Sequence, residues 1–185
     1  MSSSNLIRWG GLAAVIAGVL FVIIDLTGLL LLGFGQSLNE GSISSSLLYF
    51  RFVTAPVAGA LLLLGLVGLY LHQSEAAGFP GLVSFLVAFL GTILAQSFVQ
   101  LVLLASLGWA LFGVSCLRAR VYPRIGAILL VISAVLTGVI RPLASSGSGT
   151  VLAYLVADIL LNVSIAWLGF SLFTRRTKKP GEPYG

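Results

Sequence analysis

The chain has 185 residues, of which 58% are hydrophobic and 8% are charged, and its formal net charge is +5. A soluble globular domain has about a quarter of its residues charged. So few charges exclude a water-facing surface and predict an integral membrane protein. The length suits one compact helical bundle without a separate soluble domain.

Five apolar blocks follow one another along the chain, separated by polar segments or segments rich in Gly and Pro. The blocks cover roughly residues 6–32, 47–71, 81–117, 125–140 and 151–173. The first block follows a short polar lead, but it is much longer than the core of a secretory signal, which has about 7–15 residues. We therefore expect it to be a retained transmembrane span.

The third block, from Gly81 to Leu117, has 37 residues and no charge. As one helix it would be about 55 Å long, nearly twice the thickness of the hydrocarbon core of a bilayer. Divided in two, it gives two short spans with a tight turn near Gln96–Gln100, where polar side chains can satisfy the freed backbone groups. The block therefore predicts six spans, and five spans with one long third helix is the alternative.

The distribution of positive charge does not decide between these counts. Cytoplasmic loops are enriched in Lys and Arg, and either count places eight of the ten Lys and Arg residues on one side. Loose internal similarity favours six, because the helix ends at 63–73, 109–120 and 167–176 resemble one another. Three tandem helical hairpins place these ends on one face only with six spans, and both termini are then cytoplasmic.

Three segments carry a resemblance to known proteins: RWGGLAAVIAGVLF, LVGLYLHQ and WALFGVSCLRARVYPRIGAILLVISAVL. They resemble a widespread group of small bacterial six-span integral membrane proteins of unknown function. The likeness covers most of the chain and implies a multi-pass protein of the bacterial cytoplasmic (inner) membrane. It implies no activity and no site residues. In that group a longer loop follows the third span, and here this loop is nearly absent.

The positive charges indicate how the chain is organised and what it contacts. Residues 1–174 are predicted to form a single transmembrane bundle, and residues 175–185 a basic, flexible cytoplasmic tail. Short basic segments beside apolar spans set topology and attract anionic lipid head groups, which indicates membrane lipids and not nucleic acid as partners. The residues predicted to contact anionic lipid are Arg118, Arg120, Arg124, Arg175, Arg176, Lys178 and Lys179.

Ionisable side chains within the spans are candidates for function, because a charge inside a membrane is costly. With six spans, two acids and two bases fall at one depth in the outer half of the bilayer. The candidate intramembrane polar layer consists of Asp25, Arg51, Gln96, Gln100, Arg141, Asp158 and Asn162. It is interpreted as two structural ion pairs, as a polar pocket open to the outside, or as charges that reach the interface by snorkelling.

Patterns typical of enzymes and metal sites are missing from the sequence. His72 is the one histidine and Cys116 the one cysteine, which excludes the familiar zinc sites with several His or Cys ligands. The motifs HExxH and GxSxG and the phosphate-binding loop are also absent. We therefore expect no enzymatic activity, no metal and no cofactor.

Two functions remain open at this point. The expected one is a non-catalytic subunit or scaffold of a larger membrane complex, with a protein partner within the membrane. Short loops and faces of small residues, such as Gly10, Ala14 and Gly18 on the first span, favour it because small residues let helices approach closely. The alternative is a carrier or sensor of a small solute or lipid that uses the outward-facing polar layer.

Overall fold

The computed structural model describes residues 3–34, 41–97, 101–143 and 148–174. Within these ranges the chain forms five helices and no strand: α1 (Ser3–Phe34), α2 (Gly41–Ser97), α3 (Val102–Ala119), α4 (Arg124–Leu143) and α5 (Ser148–Thr174). Each helix is long and apolar enough to cross a membrane. The predicted all-α class is confirmed, and the protein is a multi-pass membrane protein.

The number of described helices equals that of the alternative prediction, but the long helix lies elsewhere in the chain. The alternative placed it over the whole block 81–117, whereas here α2 is the long helix and it ends at Ser97. The block is divided between α2 and α3, which begins at Val102. Gln100 and its neighbours in the predicted turn lie outside the described residues. The uncharged block is therefore not one continuous helix.

The chain reverses its direction inside α2. Gly78 has φ 55° and ψ −148°, which are not helical angles. The rings of Tyr70 and Phe85 stack with their centroids 4.4 Å apart, although fifteen residues of a straight helix span about 22 Å. The helix therefore folds back at Gly78 into a first arm, residues 41–77, and a second arm, residues 79–97.

We expect Gly78→Ala to destabilise the protein, because a Cβ strongly disfavours these backbone angles. Among the described ranges, no atom lies within 4 Å of the position that this Cβ would take, so steric overlap does not contribute. The expected loss is roughly 1–3 kcal/mol in the free energy of unfolding, measured by thermal unfolding in detergent. Gly149→Ala is the matched control, because Gly149 is also open but lies in a regular helix. Equal stability of the two variants would contradict the reversal at Gly78.

The helical segments pack side by side in a ring. The order is α1, first arm of α2, second arm of α2, α3, α4 and α5, and α5 packs back against α1. Neighbouring segments run antiparallel. Gly65 and Gly68 of α2 contact Ala14 and Gly10 of α1 in the reverse order, and the contacts of Gly91 with Ala105 and of Gly108 with Ala88 show the same between α2 and α3. Buried apolar side chains such as Leu66, from each segment, fill most of the interior.

Small residues bring the backbones of neighbouring segments into direct contact. A Cβ on Gly65 would lie 2.7 Å from the Cα of Ala14, and one on Gly18 would lie 2.6 Å from the carbonyl oxygen of Asn162. Gly10 packs in the same way on Gly68 of α2. The face of small residues on α1 is therefore covered from within the chain, by α2 and α5.

Candidate functional site

A cavity of about 160 Å³ lies at the centre of the ring. Residues from all five helices line it, and its polar members are Thr92, Ser106, Thr137, Tyr154, Asp158 and Asn162. Cavities of about 150 Å³ in proteins hold a molecule of the size of benzene. The cavity therefore has room for a ligand of about six non-hydrogen atoms or for a few waters.

The cavity lies toward one end of the bundle. Thr92 and Ala95 belong to the last turns of α2, and Val102 and Ala105 to the first turns of α3. Because neighbouring segments are antiparallel, this is also the end at which α1 stops. The opposite end carries the reversal at Gly78 and the connection from α3 to α4.

Trp109 closes one side of the cavity. Its indole Nε1 donates a hydrogen bond of 3.1 Å to Oγ1 of Thr92, and this hydroxyl donates in turn to the carbonyl oxygen of Ala88 at 2.7 Å. Both side chains are buried. The contact joins α3 to the second arm of α2 and fixes the orientation of the indole ring.

Thr137 of α4 also lines the cavity, and its side chain is 2% exposed. Its Oγ1 has no hydrogen-bond partner among the described residues. Such buried, unpartnered hydroxyls are rare in proteins because losing hydration without a compensating hydrogen bond costs roughly 1–3 kcal/mol. A water molecule or a ligand in the cavity can supply the missing partner.

Asn162 connects the cavity to the predicted polar layer. Its Nδ2 donates a hydrogen bond of 3.3 Å to Oδ2 of Asp25, which joins α5 to α1. Both residues are buried, with 4% and 5% of their surfaces exposed. Asn162 lines the cavity, whereas Asp25 lies behind it. The side chain of Asn162 therefore links the Asp25 carboxylate to the cavity wall.

Arg51 of α2 reaches toward the same carboxylate. Its guanidinium lies against Gly28, where an added Cβ would be 2.7 Å from the nearest nitrogen. Gly28 follows Asp25 by about one turn of α1, and Asp25 interacts electrostatically with both Arg51 and Asp158. A larger residue at position 28 would therefore push the guanidinium away from Asp25.

Arg141 occupies the matching position beside Asp158. Its guanidinium carbon lies 4.4 Å from the centroid of the Tyr154 ring, a distance typical of cation–π contacts. Arg141 also interacts electrostatically with Asp158 and lies in the last turn of α4, where the helix dipole favours a cation. Tyr154 and Asp158 both line the cavity, so Arg141 lies beside two residues of the cavity wall.

The structure thus brings Asp25, Arg51, Arg141 and Asp158 into one neighbourhood, from α1, α2, α4 and α5. Gln96 lies in the last turn of α2, but its side chain falls outside the described residues, as does Gln100. The tail residues Arg175, Arg176, Lys178 and Lys179 fall outside them too. The remaining residues predicted to contact lipid are exposed at the opposite end of the bundle: Arg118, Arg120 and Arg124.

Sequence reasoning missed several polar residues of the cavity, although a signal existed for two of them. Tyr154, Asp158 and Asn162 follow one another at intervals of four on one face of α5. Thr137 precedes Arg141 by the same interval on α4. Tyr154 and Thr137 each lie one helical turn before a charged residue of the polar layer. A search at that interval from Asp158 and Arg141 would have found both. Ser106 and Thr92 carry no such signal, because isolated hydroxyl residues are common in transmembrane helices.

Comparison of the chain with protein-family models, with curated proteins and with solved structures gives no match. Among the described residues, no group of three or more His, Cys, Asp or Glu side chains is placed to hold a metal ion. The function is therefore inferred from the geometry of the bundle and its cavity.

Proposed function

We propose that the chain crosses the membrane six times, as three antiparallel hairpins. The second arm of α2 and α3 are each about 27 Å long, close to the thickness of the hydrocarbon core of a bilayer. The reversal at Gly78 and the division of the block 81–117 support this count. The exposed residues Arg118, Arg120 and Arg124 mark the cytoplasmic end by the positive-inside rule. Both termini lie at this end, in a bacterial inner membrane.

We further propose that the central cavity binds a small polar solute, and that the protein is a carrier or sensor for it. The observation that supports this most directly is the convergence of polar side chains from α2, α3, α4 and α5 on one cavity. Elsewhere the interior is filled mainly by apolar side chains such as Phe112 and Leu130, although a few polar side chains such as Gln73 are also buried there. An ionisable group inside a membrane bundle is costly and is by default a candidate for function, and Asp158 is such a group on the cavity wall.

The lining indicates what kind of solute fits. Asp158 is the one acid, and no Lys, Arg or His occurs among the described residues that line the cavity. Carboxylate, amide and hydroxyl groups on its wall accept hydrogen bonds, and the hydroxyl of Thr137 has no partner in the part of the chain that the structure describes. A small amine or alcohol, which donates hydrogen bonds, meets both requirements.

The expectation of a non-catalytic subunit remains a prediction. One of its supports is weaker, because Gly10, Ala14 and Gly18 pack against helices of the same chain. Co-purification of a stable partner from native membranes in mild detergent would favour it. We therefore place solute binding first.

Cysteine accessibility tests the cavity while the solute is still unidentified. We expect Ser106→Cys and Thr137→Cys to react with the cationic reagent aminoethyl methanethiosulfonate about ten-fold or more faster than the native chain, since a thiol reacts only where solvent reaches it. The native Cys116 is 1% exposed and supplies the background rate in every variant. The measurement is the rate of mass increase of the purified protein.

The same experiment also tests whether the charge of Asp158 acts on a reagent in the cavity. The cationic reagent is expected to react faster than its anionic sulfonatoethyl analogue at position 106, and Asp158→Asn is expected to reduce that preference. Leu107→Cys, at an exposed lipid-facing position beside Ser106, controls for reagent that partitions into the detergent. Rates at positions 106 and 137 equal to the Cys116 background would show a closed, dry bundle and overturn the proposal.

A further inference from the structure

A second concave surface lies far from the central cavity, between the second arm of α2 and α3. This groove has a volume of about 470 Å³ and lies at the end of the bundle that carries Gly78. Its walls are mostly apolar and include Phe79, Val83, Leu111 and Val114. Arg118 is the one charged residue among the described residues that line it. The groove thus combines a long apolar surface with a single cation at its end.

The apolar walls face outward from the bundle. Phe79 is 76% exposed, Leu111 41% and Val83 40%. In a membrane these surfaces contact lipid acyl chains. The hydroxyl of Ser84, which also lines the groove, already donates to the carbonyl oxygen of Gly81 at 2.9 Å. An acyl chain in the groove therefore leaves this hydroxyl with its hydrogen bond.

Arg118 lies in the last turn of α3, at the end of the bundle, which is the level of the lipid head groups when the helices span a membrane. α3 ends at Ala119, and the residue that caps it, Arg120, has a left-handed φ of 55° and donates its N–H to the carbonyl oxygen of Cys116 at 3.2 Å. Arg118 belongs to the last turn of the helix and is exposed. A guanidinium binds phosphate oxygens through paired N–H donors. Arg120 and Arg124 add positive charge at this end, and the exposed Glu75 offsets part of it.

We propose that this groove is a binding site for one anionic phospholipid of the adjacent leaflet. The phosphate binds Arg118, and one acyl chain lies along Val83, Leu111 and Val114. Basic pockets between transmembrane helices on the cytoplasmic side bind anionic lipid head groups in this way. The site is separate from the central cavity and does not depend on the solute proposed for it.

Lipid binding to the intact chain tests this proposal. Native mass spectrometry of protein released from detergent gives the apparent Kd for the first bound phosphatidylglycerol and for phosphatidylcholine of the same acyl chains. We expect the native chain to prefer phosphatidylglycerol, and Arg118→Gln to weaken its binding roughly five-fold. Arg124→Gln is the matched control, because it removes the same charge at the same end but outside the groove, and it is expected to change the Kd much less than Arg118→Gln does.

A second variant tests the acyl-chain part of the site. Val114→Phe fills the groove while keeping Arg118, and we expect it to weaken the binding of both lipids; Val83→Phe replaces it if circular dichroism shows that Val114→Phe does not fold. Equal effects of Arg118→Gln and Arg124→Gln would show general attraction of anionic lipid to a basic surface, without a site. Unchanged binding in the groove-filling variant, or no preference for phosphatidylglycerol in the native chain, would also overturn the proposal.

Discussion

Gly108→Leu is expected to separate α3 from the second arm of α2 and to prevent the ring of helices from closing. A Cβ at position 108 would overlap the backbone of Ala88, and it would lie 2.6 Å from the carbonyl carbon of Val87. These are backbone atoms of a helix, so they cannot move aside as the end of a flexible side chain can. Overpacking a well-packed interior costs about 1–3 kcal/mol, and we expect a loss at or above the upper limit.

The loss is measured by thermal unfolding in detergent, together with the fraction of monodisperse protein in size-exclusion chromatography. Gly108→Ala is expected to fall between the native chain and Gly108→Leu, because it adds only the first overlapping atom. Gly149→Leu is the control, since none of the described residues has an atom within 4 Å of a Cβ at that position. If Gly108→Leu and Gly149→Leu unfold at the same temperature, α3 does not pack against α2 as described.

Asp25→Asn is expected to destabilise the protein by about 1 kcal/mol, because it removes the attraction between Asp25 and Arg51 while it relieves the repulsion between Asp25 and Asp158. Breaking a fully buried ion pair costs about 3–5 kcal/mol, and the loss is smaller here because Arg51 is only half-buried. Asparagine keeps the size of the side chain and can still bond the amide of Asn162 through its own carbonyl oxygen. The loss therefore reports the charge and not the shape.

A double-mutant cycle separates this coupling from other effects of the substitution. In an Arg51→Gln background, we expect Asp25→Asn to cost about 1 kcal/mol less than in the native chain, because coupled side chains give non-additive losses. Glu75→Gln removes an exposed carboxylate near the other end of the bundle and is expected to change stability by less than about 0.5 kcal/mol. Strictly additive losses for Asp25 and Arg51 would show that the two side chains do not interact.

The helical class and the division of the third apolar block could both be inferred from composition and length. Lipid offers no partner for free backbone groups, so an apolar chain of this kind must form helices or a closed barrel. The block 81–117 is too long for one span, and the structure divides it between α2 and α3. The reversal at Gly78 was less predictable, because helix continues on both sides of a single residue with unusual angles.

The depth of the buried charges along the bundle axis could be predicted by counting residues along the chain. Counting 1.5 Å per helical residue places Asp25, Arg51, Arg141 and Asp158 at one depth, and the structure brings them together. Depth depends only on sequence distance from a span end. It does not say which way a side chain points around its helix axis.

The rotation of each helix about its own axis could not be predicted from the sequence. This rotation turns polar side chains from several helices toward one another and so forms the central cavity. Thr92, Ser106 and Thr137 are inconspicuous in sequence, because a hydroxyl residue can bond a carbonyl of its own helix and face any direction. They line one cavity because close contacts, such as those of Gly91 with Ala105, set how neighbouring helices meet.

The amino-acid sequence thus predicts a multi-pass helical protein with four charges at a common depth, because the bilayer has a known thickness and a helix a constant rise. Packing alone establishes that α1 lies between α2 and α5, and that polar groups from four helices share a cavity of about 160 Å³. The physical reason is that burial in lipid selects for apolar length, whereas the fit between helices depends on a few glycine and alanine contacts between segments distant in sequence.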